Sequence, residues 1–197
     1  IAKSMIFWSD QFYQQGLEFP RTGLTPAPGT FTPNMNWLAN NQIPNNRPEN
    51  RIQCLLNMGS DVLAPQMLIN PVGTDTPYSG SDTIPNIVLA PNNLSYAMLD
   101  AKNVEWANRV NAGVPLLCDR QVPGQGANGS FWNNQYWEGS VCWGDTHVTW
   151  ESGKKSTYWP KTKINGVTNP HDDLFAGAAG PTSTDTLMYN PGDPAGN

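Results

Sequence analysis

The segment 139–151 alternates apolar and polar residues on both sides of a short polar centre. It reads Gly-Ser-Val-Cys-Trp-Gly-Asp-Thr-His-Val-Thr-Trp-Glu. Successive side chains of a strand point to opposite faces, so apolar residues at every second position predict two strands, each with one apolar face. The polar centre between them predicts a β-hairpin. This pattern restricts the chain to a fold with an antiparallel sheet that is buried on one face.

The turn decides which side chains share a face of this hairpin. A two-residue turn at 145–146 places Trp143 opposite Val148 and Val141 opposite Trp150. We therefore expect these four apolar side chains to pack together on the core. The opposite face then points outward and carries Cys142, His147 and Thr149. In this interpretation Asp145 begins the turn and His147 follows it on the second strand.

Composition indicates a folded domain with much ordered loop. The 197 residues fit one domain, 1–197, and include 18 Gly and 18 Pro, which favour turns and short strands over helices. Aromatic residues make up 10%, including eight Trp, so there is enough apolar surface for a core. A net charge of −5 makes nucleic acid and anionic membranes unsuitable partners.

Apolar spacing predicts an α+β fold, in which an N-terminal helix packs on a small antiparallel sheet with long ordered loops. Within 1–19, apolar residues recur at helical spacings up to Gly16. Residues 20–48 are rich in Pro and Asn and are expected to wrap the domain, because Trp37 needs a place to bury. The remaining expected elements are helices at 51–58 (ended by Gly59) and 101–110, strands at 66–69, 87–90 and 114–118, and a loop at 122–134.

Five sequence blocks between residues 50 and 190 follow one another in a recognisable order. They are Leu-Ala-Pro-Gln-Met-Leu-Ile-Asn-Pro at 63–71 with Thr-Asp-Thr-Pro at 74–77, Asn-Asn-Leu-Ser-Tyr-Ala-Met at 92–98, Pro-Leu-Leu-Cys-Asp-Arg at 115–120, the hairpin, and Asp-Asp-Leu-Phe at 172–175 with Asp-Thr-Leu-Met at 185–188. Together they resemble the exported prepilin-like, pseudopilin-type proteins of planctomycetes and relatives, which carry a His-x9-Asp-Gly motif near the C-terminus. The chain departs from that motif at three positions: Gln135 replaces its His, Thr146 its Gly, and Asn70 the Cys of a Cys-Pro-Ser segment.

The resemblance implies a pilin-like fold, an extracytoplasmic location and a role in assembly. Its partners would be copies of the same chain or other protein subunits. Members of the family begin with a long hydrophobic helix, and membrane contact would occur only through that helix. This sequence does not show it, so either the chain begins after the helix or it belongs to a relative without one. Roles that depend on the family's His or Cys do not transfer to this chain.

Residues that could carry chemistry are few. Asp145 and His147 form a possible metal or acid–base pair, and Cys142 with His147 a possible nucleophile–base pair, but no third group or cofactor motif accompanies them. We therefore expect a protein that is not an enzyme and needs no cofactor. Asp172, Asp173 and Asp185 could hold calcium, although such residues more often cap turns. Cys118 and Cys142 could form a disulfide or stay free, and Cys54 is left over.

Three classes of function are therefore compared: an assembly subunit, a carbohydrate-binding module and an enzyme. The resemblance favours the first, a non-catalytic subunit of a filament, a pilus-like or secretion-associated assembly, or a larger exported complex. Aromatic residues in loops make suitable interface anchors, which points to Phe31, Trp37, Leu38, Phe131, Trp132 and Trp137. The alternative is sugar stacking on coplanar, exposed side chains drawn from Trp132, Trp137, Trp143, Trp150 and Trp159.

Overall fold

The computed structural model of the chain describes residues 1, 5, 47–56, 63–80, 87–100, 112–122, 129–152, 162–164, 167–169, 174–175 and 187–193. Its main feature is an antiparallel sheet of five strands: β1 (Tyr96–Leu99), β2 (Pro115–Asp119), β3 (Glu138–Trp143), β4 (Val148–Ser152) and β7 (Met188–Tyr189). They lie in the order β4-β3-β2-β1-β7. A separate hairpin pairs β5 (Thr162–Ile164) with β6 (Val167–Asn169).

With this sheet and a single α-helix among the described residues, the fold is broadly α+β and rich in β-structure. The helix, α1, spans Pro48–Leu56, close to the expected 51–58. Pro48 suits a first helical position, where no backbone N–H is required. The sheet places its two most buried strands, β1 and β2, next to each other.

The β3–β4 hairpin forms as predicted, but its register differs by one residue. Val141 pairs with Thr149, Cys142 with Val148 and Ser140 with Trp150. Val141 and Trp143 are buried as expected, whereas Val148 and Trp150 are exposed. The predicted four-residue core face is therefore wrong for its β4 half, and Thr149 takes the core side, accepting a 2.7 Å hydrogen bond from the indole Nε1 of Trp143.

The turn explains this shift. The Thr146 N–H donates to the Trp143 carbonyl (2.8 Å), and the Trp143 N–H donates to the His147 carbonyl (3.0 Å). Thr146 has φ of +71°. A three-residue loop whose last residue is left-handed is a common hairpin connection, and it contains one residue more than the expected two-residue turn. Since the side-chain period of a strand is two, one additional residue moves all of β4 to the opposite face.

Helix α1 carries buried polar side chains that bind backbone groups of three other segments. Arg51 Nη1 donates to the Leu99 carbonyl at 2.7 Å, and the Leu89 N–H donates to Gln53 Oε1 at 2.9 Å. The Gly192 N–H donates to Glu49 Oε2 at 3.1 Å. Burial raises the pKa of the Glu49 carboxyl. The helix therefore satisfies backbone groups that irregular segments bring into the interior.

Two expected strands are absent. Residues 66–69 lie mostly in a 3-10 turn, Pro65–Leu68, because Pro65 suits the first position of a helical turn and lacks the N–H of a sheet residue. Residues 87–90 form no strand, and the Leu89 N–H binds the side chain of Gln53 instead of a neighbouring strand. A second 3-10 turn, Pro91–Asn93, leads directly into β1. The strand expected at 114–118 is confirmed as β2.

The core lies between the sheet, α1 and several single anchors. Residues that are completely or almost completely buried include Met5, Ile52, Leu55, Leu68, Leu94, Met98, Leu99, Trp137, Val141 and Leu174. Ile1 packs against this core as well. The other residues of the N-terminal helix expected within 1–19, residues 20–46 of the expected loop, Gly59 and the helix expected at 101–110 lie outside the described residues. Pro48, expected at the end of that loop, begins α1 instead. No helix in the described part is both long enough and apolar enough to span a bilayer.

Cys118 and Cys142 lie on neighbouring strands, but both are free. Cys118 pairs with Val141, and Cys142 pairs with Leu117. Residues directly opposite each other share a face, so this one-residue offset directs the two thiols to opposite faces of the sheet. A disulfide between them is therefore not formed, although the two strands are adjacent as expected.

Candidate functional site

The carboxylate of Asp119, at the end of β2, gathers three donors from separate parts of the chain. It accepts hydrogen bonds from Asn70 Nδ2 (3.1 Å), Trp132 Nε1 (3.1 Å) and the backbone N–H of Ser140 (2.9 Å). Gly139 leaves room for it, since a Cβ there would lie 2.7 Å from both Cβ and Oδ2 of Asp119. Asp119 is buried, so these donors replace the water that its charge would otherwise need.

Arg120, the next residue, forms a second buried polar group. Its Nε donates to Asp75 Oδ2 at 3.0 Å and its Nη2 to Asp75 Oδ1 at 2.5 Å. Ser95 Oγ donates to the same carboxylate at 2.8 Å. The guanidinium carbon lies 5.6 Å from the centre of the Phe131 ring, within reach of a cation–π contact. A bidentate pair with additional donors compensates for the burial of both charges, and it holds the beginning of the loop 131–137.

The sequence blocks that carry the prepilin-like resemblance meet in these two groups. Asn70 belongs to the first block, Ser95 to the second, and Asp119 with Arg120 to the third. The Asn70 side chain binds Asp119 through Nδ2 and accepts the Val72 N–H at 3.0 Å through Oδ1, so it links this loop to the end of β2.

The loop 131–137 is held by short-range hydrogen bonds as well. Ser130 Oγ donates to the Glu138 carbonyl at 2.6 Å, which closes the base of the loop. Asn133 Oδ1 accepts the Gln135 N–H at 2.9 Å, forming a side-chain-supported turn. An open pocket of about 500 Å³ lies along this loop, and residues 131–135 line it.

Beside this loop, three large apolar side chains are exposed together. We call Trp132, Val148 and Trp150 the tryptophan patch; their exposed fractions are 41%, 62% and 52%. The ring centres of Trp132 and Trp150 lie 5.1 Å apart with an angle of 74° between planes, an edge-to-face contact. Val148 and Trp150 alternate along the same face of β4, which has a described partner strand on one side only. The patch therefore lies at the edge of the sheet.

The predicted interface residues lie in different environments. Trp132 is exposed, and Phe131 is partly exposed with its ring beside the Arg120 guanidinium. The prediction for Trp137 is wrong: it is completely buried, its Nε1 donates to the Asp119 carbonyl at 2.9 Å, and its ring packs 5.8 Å from Phe175. Trp137 can be buried although it lies in a loop, because the Asp119 carbonyl accepts a hydrogen bond from its indole. Phe31, Trp37 and Leu38 lie outside the described residues.

The coplanar sugar platform is not formed by the described tryptophans. Trp137 and Trp143 are buried, and the two exposed rings are nearly perpendicular. Trp159 lies outside the described residues. Sequence reasoning missed Trp150 as a surface residue because the assumed turn placed it in the core.

The hairpin does not bring Cys142 and His147 together. Cys142 pairs with Val148 and is partly buried against the core, while the His147 ring stacks on Trp143, with ring centres 5.7 Å apart and 9° between planes. Burial raises the pKa of the Cys142 thiol and raises that of Cys118 well above its usual range. A protonated thiol is a weak nucleophile, so neither cysteine is activated for catalysis.

Asp145 and His147 form a hydrogen-bonded pair at the tip of the hairpin, between Asp145 Oδ1 and His147 Nδ1. This hydrogen bond lowers the pKa of the Asp145 carboxyl. No group of three or more His, Cys, Asp or Glu side chains converges as a metal site in the described part of the chain. Asp172, Asp173 and Asp185, the calcium candidates, lie outside it.

Comparisons with protein families, curated proteins and solved structures found no match to this chain. The prepilin-like resemblance therefore depends on the sequence blocks alone. Asp119 and Arg120 were given no role in the predictions from sequence. A signal was present: two adjacent charges directly after an apolar strand, in a chain with only 14% charged residues.

Proposed function

We propose that the protein is a non-catalytic subunit of an extracytoplasmic assembly and that it associates with a second copy of itself through the tryptophan patch. The single observation that carries this proposal is the exposure of Trp132, Val148 and Trp150 side by side at a sheet edge. Scattered exposed apolar residues are ordinary, but a contiguous group of this kind marks interaction surfaces. The pilus-like or secretion-associated setting is supported by the prepilin-like sequence blocks.

The edge position favours a copy of the same chain as the partner. The Trp143 N–H binds the His147 carbonyl, and backbone groups alternate along an antiparallel pair, so those of Val148 and Trp150 point away from β3. Two β4 strands related by a two-fold axis can pair through these groups and extend the sheet. Such an interface is self-complementary, and it brings two copies of the patch together.

The structure also gives the patch the rigidity that interface anchors need. The Trp132 indole is held by Asp119, and the Trp150 ring packs against it. A side chain that is already ordered loses little conformational entropy on binding, and tryptophan is enriched among residues that dominate binding energy. A stable interface should bury about 1,200–2,000 Å² in total, so the patch would form its centre and neighbouring polar residues its rim.

Sedimentation velocity over a concentration series tests this proposal. The unaltered protein should form dimers or larger species, and Trp150→Ala should weaken association about 30-fold, corresponding to about 2 kcal/mol. Val148→Thr should weaken it as well. Val88→Thr is the matched control, because Val88 is 64% exposed but lies outside the patch. A chain that stays monomeric up to about 1 mM would contradict the proposal.

A further inference from the structure

The edge of β4 that faces away from β3 is regular and carries a single charge. The strand Val148–Ser152 reads Val-Thr-Trp-Glu-Ser, and its residues pair with β3 without a register shift. Proteins commonly protect such edges with lysine, proline or a bulge, and this strand has none of the three. The edge is therefore suited to pairing with another strand, as the proposed self-association requires.

Backbone geometry limits how two β4 strands can align. The outward N–H and C=O groups belong to Val148 and Trp150, so an antiparallel partner must place its own outward groups opposite these. The two-fold axis then passes through one residue of the strand. Val148 and Trp150 face each other across the axis only when it lies at Thr149, and each such pair then exchanges both of its N–H···O bonds.

This register also matches the side chains of the tryptophan patch. Val148 of each copy lies directly opposite Trp150 of the other, and aromatic side chains paired with β-branched ones stabilise antiparallel sheets. An axis at Trp150 would instead place Val148 against the hydroxyl of Ser152. The axis at Thr149 therefore brings the apolar residues of the two patches into contact.

The opposite face of β4 adds a match of charge. His147 and Thr149 lie on this face, since one stacks on the Trp143 ring and the other binds its indole, and Glu151 follows at the next position of the same face. With the axis at Thr149, His147 of one copy lies opposite Glu151 of the other, in the type of pair where side chains approach most closely. An axis at Glu151 would oppose two carboxylates, and an axis at Trp150 would leave Glu151 against the uncharged Thr149.

His147 is oriented to meet that carboxylate. Its ring is fixed by stacking on Trp143, and its Nδ1 binds Asp145 Oδ1. Within the described part of the chain, its Nε2 has no hydrogen-bond partner. An imidazolium donates from both nitrogens. We propose that β4 pairs with β4 of a second copy with Thr149 on the axis, and that a His147–Glu151 pair between the copies selects this register; the inference rests on the proposed self-association.

Disulfide formation between single cysteines tests the register. Directly opposite residues of an antiparallel pair have Cβ atoms about 4.5–5.5 Å apart, close to the distance that a disulfide spans. Under mild oxidation by dissolved oxygen, Thr149→Cys should give a covalent dimer on a non-reducing gel, whereas Glu151→Cys, on the same face, should not. The unaltered chain, oxidised in the same way, shows the contribution of its own cysteines. A covalent dimer from Glu151→Cys, or from neither variant, would overturn the register.

Charge exchange, followed by sedimentation velocity, tests the His147–Glu151 pair. Glu151→Lys and His147→Glu each place like charges opposite each other, and each should weaken association about tenfold. The double variant restores opposite charges and should associate within about threefold of the unaltered chain. Glu138→Lys is the matched control, because it makes the same change of charge on β3, away from the paired edge, and should alter association by less than about threefold. Losses that simply add in the double variant would overturn the charge pair.

The two proposals fail in different ways. If the unaltered chain stays monomeric, both are wrong. If it associates and Trp150→Ala weakens association, but the cysteine and charge variants do not behave as expected, the tryptophan patch remains the association surface and only the register and its charge pair are wrong. Urea denaturation of each variant shows whether the monomer is still folded.

Discussion

The two strands of the β3–β4 hairpin each contribute a valine and a tryptophan, and these pairs have opposite environments. Val141 and Trp143 are 0% and 5% exposed, while Val148 and Trp150 are 62% and 52% exposed. The residue types are identical, so hydrophobicity does not decide between core and surface here. The difference comes from the turn, because its third residue shifts β4 by one position and reverses which face each side chain occupies.

The largest expected effect comes from exchanging the two tryptophans for alanine one at a time. Trp143→Ala removes a buried ring and its hydrogen bond to Thr149, so it should lower the free energy of unfolding by about 3–5 kcal/mol. Trp150→Ala should lower it by less than about 1 kcal/mol, because its ring is half exposed. Urea denaturation at low protein concentration measures both. Equal losses would show that the two faces do not differ as described.

The next largest effect is expected from removing the Asp119 carboxylate, which binds the indole of the exposed Trp132. Asp119→Ala leaves the Asn70, Trp132 and Ser140 donors without their acceptor, and it should lower the free energy of unfolding by about 2–3 kcal/mol. Trp132→Phe removes only one of these hydrogen bonds and should cost about 1 kcal/mol. In a double-mutant cycle, the loss caused by Trp132→Phe should largely disappear when Asp119 is already alanine. Strictly additive losses would mean that Asp119 does not hold Trp132.

The turn itself gives a smaller effect of opposite sign. Thr146 adopts a φ of +71°, which is unfavourable for a β-branched side chain and natural for glycine. Thr146→Gly should therefore raise the free energy of unfolding by about 0.5–1 kcal/mol, after allowance for the greater entropy of glycine in the unfolded chain. The free energy of unfolding of Thr146→Asn should lie between those of the unaltered protein and of Thr146→Gly. If Thr146→Gly destabilises the protein instead, the three-residue turn is not formed as described. The assignment of Val148 and Trp150 to the exposed face would then be wrong as well.

Sequence alone predicted the elements whose signals are local. Alternation located β3 and β4, an apolar run located β2, and the spacing of Ile52, Leu55 and Leu56 before Gly59 located α1 approximately. Prediction from sequence was wrong where one additional turn residue changes the register of a strand. A three-residue turn can have the same sequence as a two-residue turn when Thr146 accepts an unfavourable φ, so the position of Val148 and Trp150 could not be read from their spacing.

The candidate site could not be predicted from sequence, because its side chains bind residues that are distant along the chain. Trp137 lies in a loop, but the carbonyl of Asp119 provides its hydrogen bond, so the ring can be buried. Sequence spacing does not show that Asn70, Trp132 and Ser140 converge on one carboxylate. Buried polar groups must be satisfied, yet only the tertiary structure determines by which residues. Trp132, predicted to be an interface residue, is exposed, and so is its neighbour Trp150, which was predicted to lie in the core.

The smallest expected effect concerns the turn of the β3–β4 hairpin, where the His147 ring stacks on Trp143 and binds the Asp145 carboxylate. That hydrogen bond lowers the pKa of the Asp145 carboxyl, so a carboxyl-detected NMR titration should find it below the ordinary value of about 3.9. A folded-state pKa below the unfolded one gives stability that is present above the unfolded pKa and is lost as pH falls through the folded pKa. His147→Ala should return the Asp145 pKa towards its ordinary value and flatten the acid limb of the stability profile slightly. An Asp145 pKa that is identical in the two proteins would show that the pair does not form in solution, and His147 would then have no role in holding the tip over Trp143.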